Sequence, residues 1–229
     1  MSEKSNAPIL FLGKKNDGHC QKAMSFIESN FNFAVCHLGD WDDPMPEDIK
    51  TWKGDYVISY LSRWVVPESV IKSAKIAAIN FHPASPDYPG IGCNNFALYE
   101  DAKEYGVTCH HMAATVDTGE IIVVKRFPVF RTDSVSTLLS RTYDFQLVLF
   151  YELIGQLLNR EALPRSGETW GRKPFSRKEF NQLEVITPYM TPDEINRRVR
   201  AVSYGVWQPK VEIGGLVFSL EPEAIKQSR

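Results

Sequence analysis

The chain has 229 residues, 43% hydrophobic and 24% charged, with 26 Lys and Arg against 28 Asp and Glu. That length and apolar share can bury a full core without disulfides or metal, as one large domain or a main domain with an appendage. The formal charge of −2 and a pI near 6.2 argue against a nucleic-acid or membrane-surface protein. The four cysteines, Cys20, Cys36, Cys93 and Cys109, show no metal-ligand spacing, and their scatter reads as a reduced, intracellular chain. The polar start, Met1-Ser-Glu-Lys-Ser-Asn-Ala-Pro8, does not read as a signal peptide. No apolar run approaches the ~20 residues of a membrane helix. A cytoplasmic location is expected.

Ile9-Leu-Phe-Leu12, ending at Gly13, predicts a buried parallel strand, and residues 18–30 predict a helix. Residues 33–38 read as a second strand, Asp40-Trp-Asp-Asp-Pro-Met-Pro46 as a loop, and Tyr56-Val-Ile-Ser59 as a third strand. Pro67-Glu68 opens a short helix with proline in its first turn. Lys75-Ile-Ala-Ala-Ile-Asn-Phe-His82 is a strand stopped by Pro83. After the loop Pro83-Ala-Ser-Pro-Asp-Tyr-Pro-Gly90 come the strand Gly106-Val-Thr-Cys-His-His-Met112, a turn at Val116-Asp117-Thr118-Gly119, and a strand over 120–129. Leu138, Leu149, Leu153 and Leu157 recur at helical spacing in the longest helix, 134–159.

Beyond Pro164 the composition shifts toward Arg, Lys, Trp and Pro. Thr191-Pro-Asp-Glu194 predicts a helix start with a capping box. Gly214-Gly215 between two β-rich runs predicts a terminal hairpin, which must pack on the main body or on a second subunit. The whole reads as an α/β domain over residues 1–163, a mostly parallel sheet flanked by helices, with a small C-terminal helix and hairpin appendage over 164–229.

Open α/β sheets place their chemistry at the carboxyl ends of the strands. Asn80 and His82 lie there, two apart and therefore on one face of their strand. A carboxylate from the neighbouring strand's turn, Asp117, can hold the imidazole and raise its basicity, while the amide N–H donates to a developing oxyanion. No Ser or Cys is placed as a nucleophile, so the set suits acyl transfer to a nucleophile carried by the substrate. On the residues alone, Asp117-Thr-Gly119 is equally an ordinary turn, and Asn or His at a strand end equally a surface residue. Gly90-Ile-Gly92 lacks the third glycine and the preceding first strand of a dinucleotide fingerprint, and is rejected as one.

Asn80-Phe-His82-Pro83, then Pro86 and Pro89-Gly90, then Gly106-Val-Thr108, then Val116-Asp117-Thr118-Gly119-Glu120-Ile121-Ile122 resembles the formyltransferases that use N10-formyltetrahydrofolate. The resemblance implies a Rossmann-like catalytic domain, no metal, and formyl transfer from the folate to a primary amine, with Asn80, His82 and Asp117 at the catalytic positions. It also implies that Tyr60, Leu61, Arg63 and Trp64, with Val116 and Asp117, hold the pterin. Trp64 reads equally as a core aromatic, and His110 equally as a site residue or a packed histidine.

The residues after 163 are similar to the tails of nucleotide-sugar formyltransferases. They imply a nucleotide-linked amino sugar as acceptor, a dTDP-amino-deoxysugar first, a homodimer, and a place in lipopolysaccharide O-antigen biosynthesis. Tyr88 and Asn94 on the loop rim, Arg172 and Lys173 toward a pyrophosphate, and Trp170 and Trp207 toward a base are the expected acceptor contacts. A methionyl-tRNA enzyme is expected to be longer. A glycinamide ribonucleotide transformylase-like enzyme, or a non-catalytic folate- or nucleotide-binding module, is the alternative. Pro86-Asp-Tyr-Pro-Gly90 and Gly92-Cys-Asn-Asn95 depart from the family pattern, which points to a different sugar.

Overall fold

Strand β1 (Ile9–Lys14) is apolar on both faces, as a central parallel strand must be, and the order of the main sheet is β2-β1-β3-β4-β5-β6. Its partners are β2 (Ala34–Gly39), β3 (Gly54–Tyr60), β4 (Ala74–His82), β5 (Glu104–His111) and β6 (Ile121–Pro128). The first four strands are parallel; β5 and β6 run antiparallel. The computed structural model describes residues 3–205 and 207–220, so the end of the expected appendage, 221–229, lies outside the described residues.

Side-chain alternation divides the core in two. One face carries Phe11, Ile58, Ile79, Phe81 and Cys109, packed beneath α1 (Gly18–Asn30) and α5 (Val135–Leu158). The other carries Leu10, Leu12, Val57 and Ala78 beneath the short helices α2 (Glu47–Thr51) and α3 (Glu68–Ile71). This second cover is thin and ends before the strands do. Ser134 caps α5 in a reciprocal box with Thr137. Pro67 caps α3 from outside its first turn.

Four elements are absent from the sequence reading: α2, α4 (Cys93–Tyr99), α6 (Arg177–Leu183) and β7 (Val185–Ile186). They are short, and their places are set by distant contacts. Helix α4, for example, packs on α7 (Pro192–Val202), where the Asn95 amide donates to the Ala201 carbonyl at 2.6 Å. At Thr191 only half of the expected capping box forms. The Thr191 hydroxyl accepts from the Glu194 N–H at 3.2 Å, but the Glu194 carboxylate turns to Arg198 at 2.7 Å and Tyr99 at 2.9 Å.

The hairpin forms as expected, β8 (Lys210–Ile213) and β9 (Leu216–Ser219) around Gly214 and Gly215, both at positive φ as a type I′ turn requires. It packs by pairing β8 with β7 in a second sheet, β7-β8-β9. Ile213, Leu216, Val217 and Phe218 remain exposed on it. Phe175, Phe180, Leu183, Ala201 and Val202 join the larger core cluster, so the residues after 163 share the core of those before it.

Candidate active site

Pairing across the sheet brings the polar residues together. Ser59, Asn80 and His110 are direct cross-strand neighbours on β3, β4 and β5, as are His82 and Thr108. Neighbours in register share a face, here the thinly covered one. The chain leaves β1 for β2 on one side and returns to β3 on the other, so the crevice opens at the carboxyl ends of β1 and β3. A cleft of about 460 Å³ lies there, lined among others by Lys14, Trp41, Ser59, Leu61, Arg63, Trp64, Asn80, His82, His110, Val116 and Asp117.

Asp117 is the hub. The loop between β5 and β6 delivers it at φ +51°, a left-handed conformation that Asp tolerates better than most residues. One carboxylate oxygen lies 3.3 Å from His82 Nδ1 and 3.0 Å from the Gly90 N–H, which donates to it. The other lies 3.3 Å from His110 Nε2. Burial acts to raise the Asp117 carboxyl, but the two imidazoles and the Gly90 N–H outweigh it and hold it down at about 2. The group is therefore an anion at neutral pH. Gly119 makes this turn possible, because a Cβ there would sit 1.8 Å from the His111 carbonyl oxygen.

His110 fixes the amide of Asn80. Its Nδ1 donates to the His111 carbonyl at 2.8 Å; in that tautomer Nε2 accepts from the Asn80 amide at 3.1 Å, and with both nitrogens protonated Nε2 turns its N–H to Asp117 at 3.3 Å. The second Asn80 N–H is left for the cleft. His82 Nε2 donates to the Tyr88 carbonyl at 3.1 Å while Nδ1 faces Asp117. Burial pushes the His82 imidazole down, with Asp117 opposing and His110 reinforcing that shift. Together these groups offer an N–H donor toward the cleft and a buried imidazole backed by a carboxylate. That is the equipment for stabilising an oxyanion and accepting a proton.

The structure brings Asn80, His82 and Asp117 together as expected, with His110 buried beside them at 2% exposure. Leu61, Arg63, Trp64 and Val116 line the cleft. Leu61 does so at φ +55°, a strained backbone worth about 1–3 kcal/mol for a bulky residue. Trp64 lines the cleft and also packs its ring on the smaller core, and its indole N–H donates to the Asp43 carbonyl at 2.8 Å. Tyr60 is a correction: β3 runs one residue further than read, and alternation puts the ring in the larger core against Phe11, Phe81 and Phe150.

The expected acceptor contacts lie off the cleft. Tyr88 is buried against Tyr105 and offers its carbonyl to His82, and Asn94 is buried on α4. Arg172 pairs with Glu100 at 2.8 Å and lies over the Phe175 ring, while Lys173 is exposed. Trp207 packs edge-on against Phe180. Trp170 stacks not on open space but on the histidines, 5.0 Å from His110 and 5.8 Å from His82 between ring centroids. Lys14 and Trp41 are lining residues that the sequence reading missed. Lys14 was accessible to it, because it ends β1 beside the reversal of strand order.

Four matches bear on this geometry. Methionyl-tRNA formyltransferase of Enterococcus faecalis is 26% identical over 160 residues, 69% of this chain and 51% of that protein. GDP-perosamine N-formyltransferase of Brucella melitensis is 28% identical over 166 residues, 72% of this chain and 63% of that protein. The chain thus spans between half and two thirds of these relatives' length. An N-formyltransferase of Helicobacter canadensis, solved with folinic acid and dTDP-3-aminofucose, shares the fold with a TM-score of 0.68 at 20% identity, over 91% of this chain and 85% of that one. A family model described as formyl transferase matches residues 33–154. That match exceeds half of the chain and encloses Asn80, His82, His110 and Asp117: the chain belongs to the formyl transferase family.

Proposed function

We propose that this chain transfers a formyl group from N10-formyltetrahydrofolate to the primary amine of a nucleotide-linked amino sugar. The observation that carries the reading is the convergence of Asp117 on both His82 and His110 beneath Asn80, at the edge of a cleft of ligand size. The amine nitrogen attacks the formyl carbon, and the carbonyl oxygen becomes an oxyanion that the free Asn80 N–H stabilises. When His82 exchanges its Tyr88 partner for the attacking amine, Asp117 holds the ring hydrogen on Nδ1, and the Nε2 left unprotonated takes the proton the amine loses. Asp117 supports the resulting imidazolium. The bond from carbon to N10 of the folate then breaks, N10 takes up a proton, and a formamide and tetrahydrofolate leave.

Leu61, Arg63, Trp64 and Val116 are the residues we assign to the folate. The Helicobacter canadensis protein of the same fold binds folinic acid and a dTDP-amino sugar, which supports a dTDP-amino-deoxysugar as first acceptor to try. The Brucella relative acts on GDP-perosamine and makes a GDP-linked sugar the second. A net charge of −2 disfavours the polyanionic tRNA of the other relatives. The exposed apolar face of β8 and β9 supports a homodimer.

A panel assay tests this: N10-formyltetrahydrofolate with dTDP-, UDP- and GDP-linked amino sugars, glycinamide ribonucleotide and methionyl-tRNA, scored by formamide product. Transfer to at least one nucleotide sugar is the expected result. Transfer confined to glycinamide ribonucleotide or to methionyl-tRNA overturns the choice of acceptor.

A further inference from the structure

The residues between α5 and α6 form a strap across the back of the hub. Ser166 donates through its hydroxyl to the Ile121 carbonyl at 3.3 Å, beside the Asp117 turn. The Gly171 N–H donates to Pro86 at 3.0 Å and the Phe175 N–H to Pro89 at 2.9 Å, on the proline loop. Phe175 also stacks on Phe96 of α4 at 3.7 Å, nearly parallel. Between these anchors stands Trp170. Its indole N–H donates to the Gly119 carbonyl at 2.8 Å, two residues past Asp117.

The Trp170 ring meets His110 at 85° and His82 at 73°, edge-on in both cases. Beneath it His82, His110 and Asp117 are only 4%, 2% and 4% exposed. The ring does not line the cleft, so it is not placed to touch a substrate there. Of the strap's charges, Glu168 pairs with Arg126 at 2.6 Å, Arg172 with Glu100 at 2.8 Å and Arg165 with Glu120 at 3.8 Å, while Lys173 is exposed. The groups facing His82 are Asp117, His110 and the Tyr88 carbonyl.

We propose that Trp170 is a positioning residue that shuts water out from behind His82, His110 and Asp117, so that it governs the proton chemistry of the hub from behind, while Pro174 and Phe175 further along the strap reach the cleft. Its catalytic consequence rests on the formyl-transfer reading; its effect on the imidazoles does not. Burial is the largest influence on His82 and depresses its proton affinity. Opening the back of the site therefore moves His82 upward.

The test is an NMR titration of the His82 ring in the full chain, paired with the pH profile of kcat/KM for formyl transfer. In Trp170→Ala the His82 titration rises by ~1 unit, and the acid limb of the rate profile moves to higher pH with it. Trp170→Phe keeps a ring over the histidines and loses only the bond to Gly119, so its His82 titrates as in the wild type. An unmoved His82 in Trp170→Ala overturns the proposal, and so does a Trp170→Phe variant shifted as far as Trp170→Ala. Should Trp170→Ala not fold, Trp170→Leu covers the rings in part and must give a smaller shift of the same sign. If no acceptor is ever formylated while His82 still shifts, the functional reading fails and the shielding role stands.

Discussion

Replacing Asp117 by Asn removes the charge of the hub and little else. The two side chains are nearly isosteric, and Asn also tolerates the φ of +51° at this position. The native carboxyl is held at about 2, below the ordinary range of an aspartate. A depressed carboxyl stabilises the fold above its unfolded value and loses that contribution as pH falls through the native one. That depression corresponds to about 2 kcal/mol at pH 7, roughly halved by pH 3.

Urea unfolding of wild type and Asp117→Asn at pH 7 and pH 3 measures this directly. The gap between them should be about 2 kcal/mol at pH 7 and should narrow to about 1 kcal/mol at pH 3. Turnover should fall at least a hundredfold, because His82 loses the anion that supports its imidazolium. A gap that is the same at both pH values would refute the charge account of this site. Near-normal turnover would refute its catalytic role.

Asn80→Ala removes the amide that His110 fixes, and should cut turnover on the order of a hundredfold with unchanged circular dichroism. Gly119→Ala drives a Cβ into the His111 carbonyl, and thermal unfolding should show a loss of at least ~2 kcal/mol together with loss of activity. A chain ended after residue 163 lacks Phe175, Phe180, Leu183, Ala201 and Val202 of the main core, and should give an expanded species without a cooperative transition.

The trio Asn80, His82 and Asp117 was legible because its signals are local. Asn80 and His82 are two apart on a strand, and Asp117 sits in a turn whose residues announce it. The place of His110 was not legible, since it depends on which β4 residue stands opposite, and a bulge between Cys109 and His110 interrupts the pairing of β5 with β6 there. Tyr60 was misplaced by one residue of strand length, which is enough to reverse the face of a side chain. Trp170 was read toward a base and belongs behind the histidines instead, because its partner Gly119 is 51 residues away. An exposed-looking tryptophan in a Pro-rich stretch carries no local mark of what it covers.

The strap also changes what counts as a transferable part. It ties the Asp117 turn, the proline loop and α4 into one piece, through contacts made by residues far from them in sequence. A tail exchanged between relatives to alter the acceptor would arrive without its seats and leave the histidines uncovered. Recombination that respects this molecule has to move the strap together with residues 83–99 and 112–121, including those that do not face the cleft.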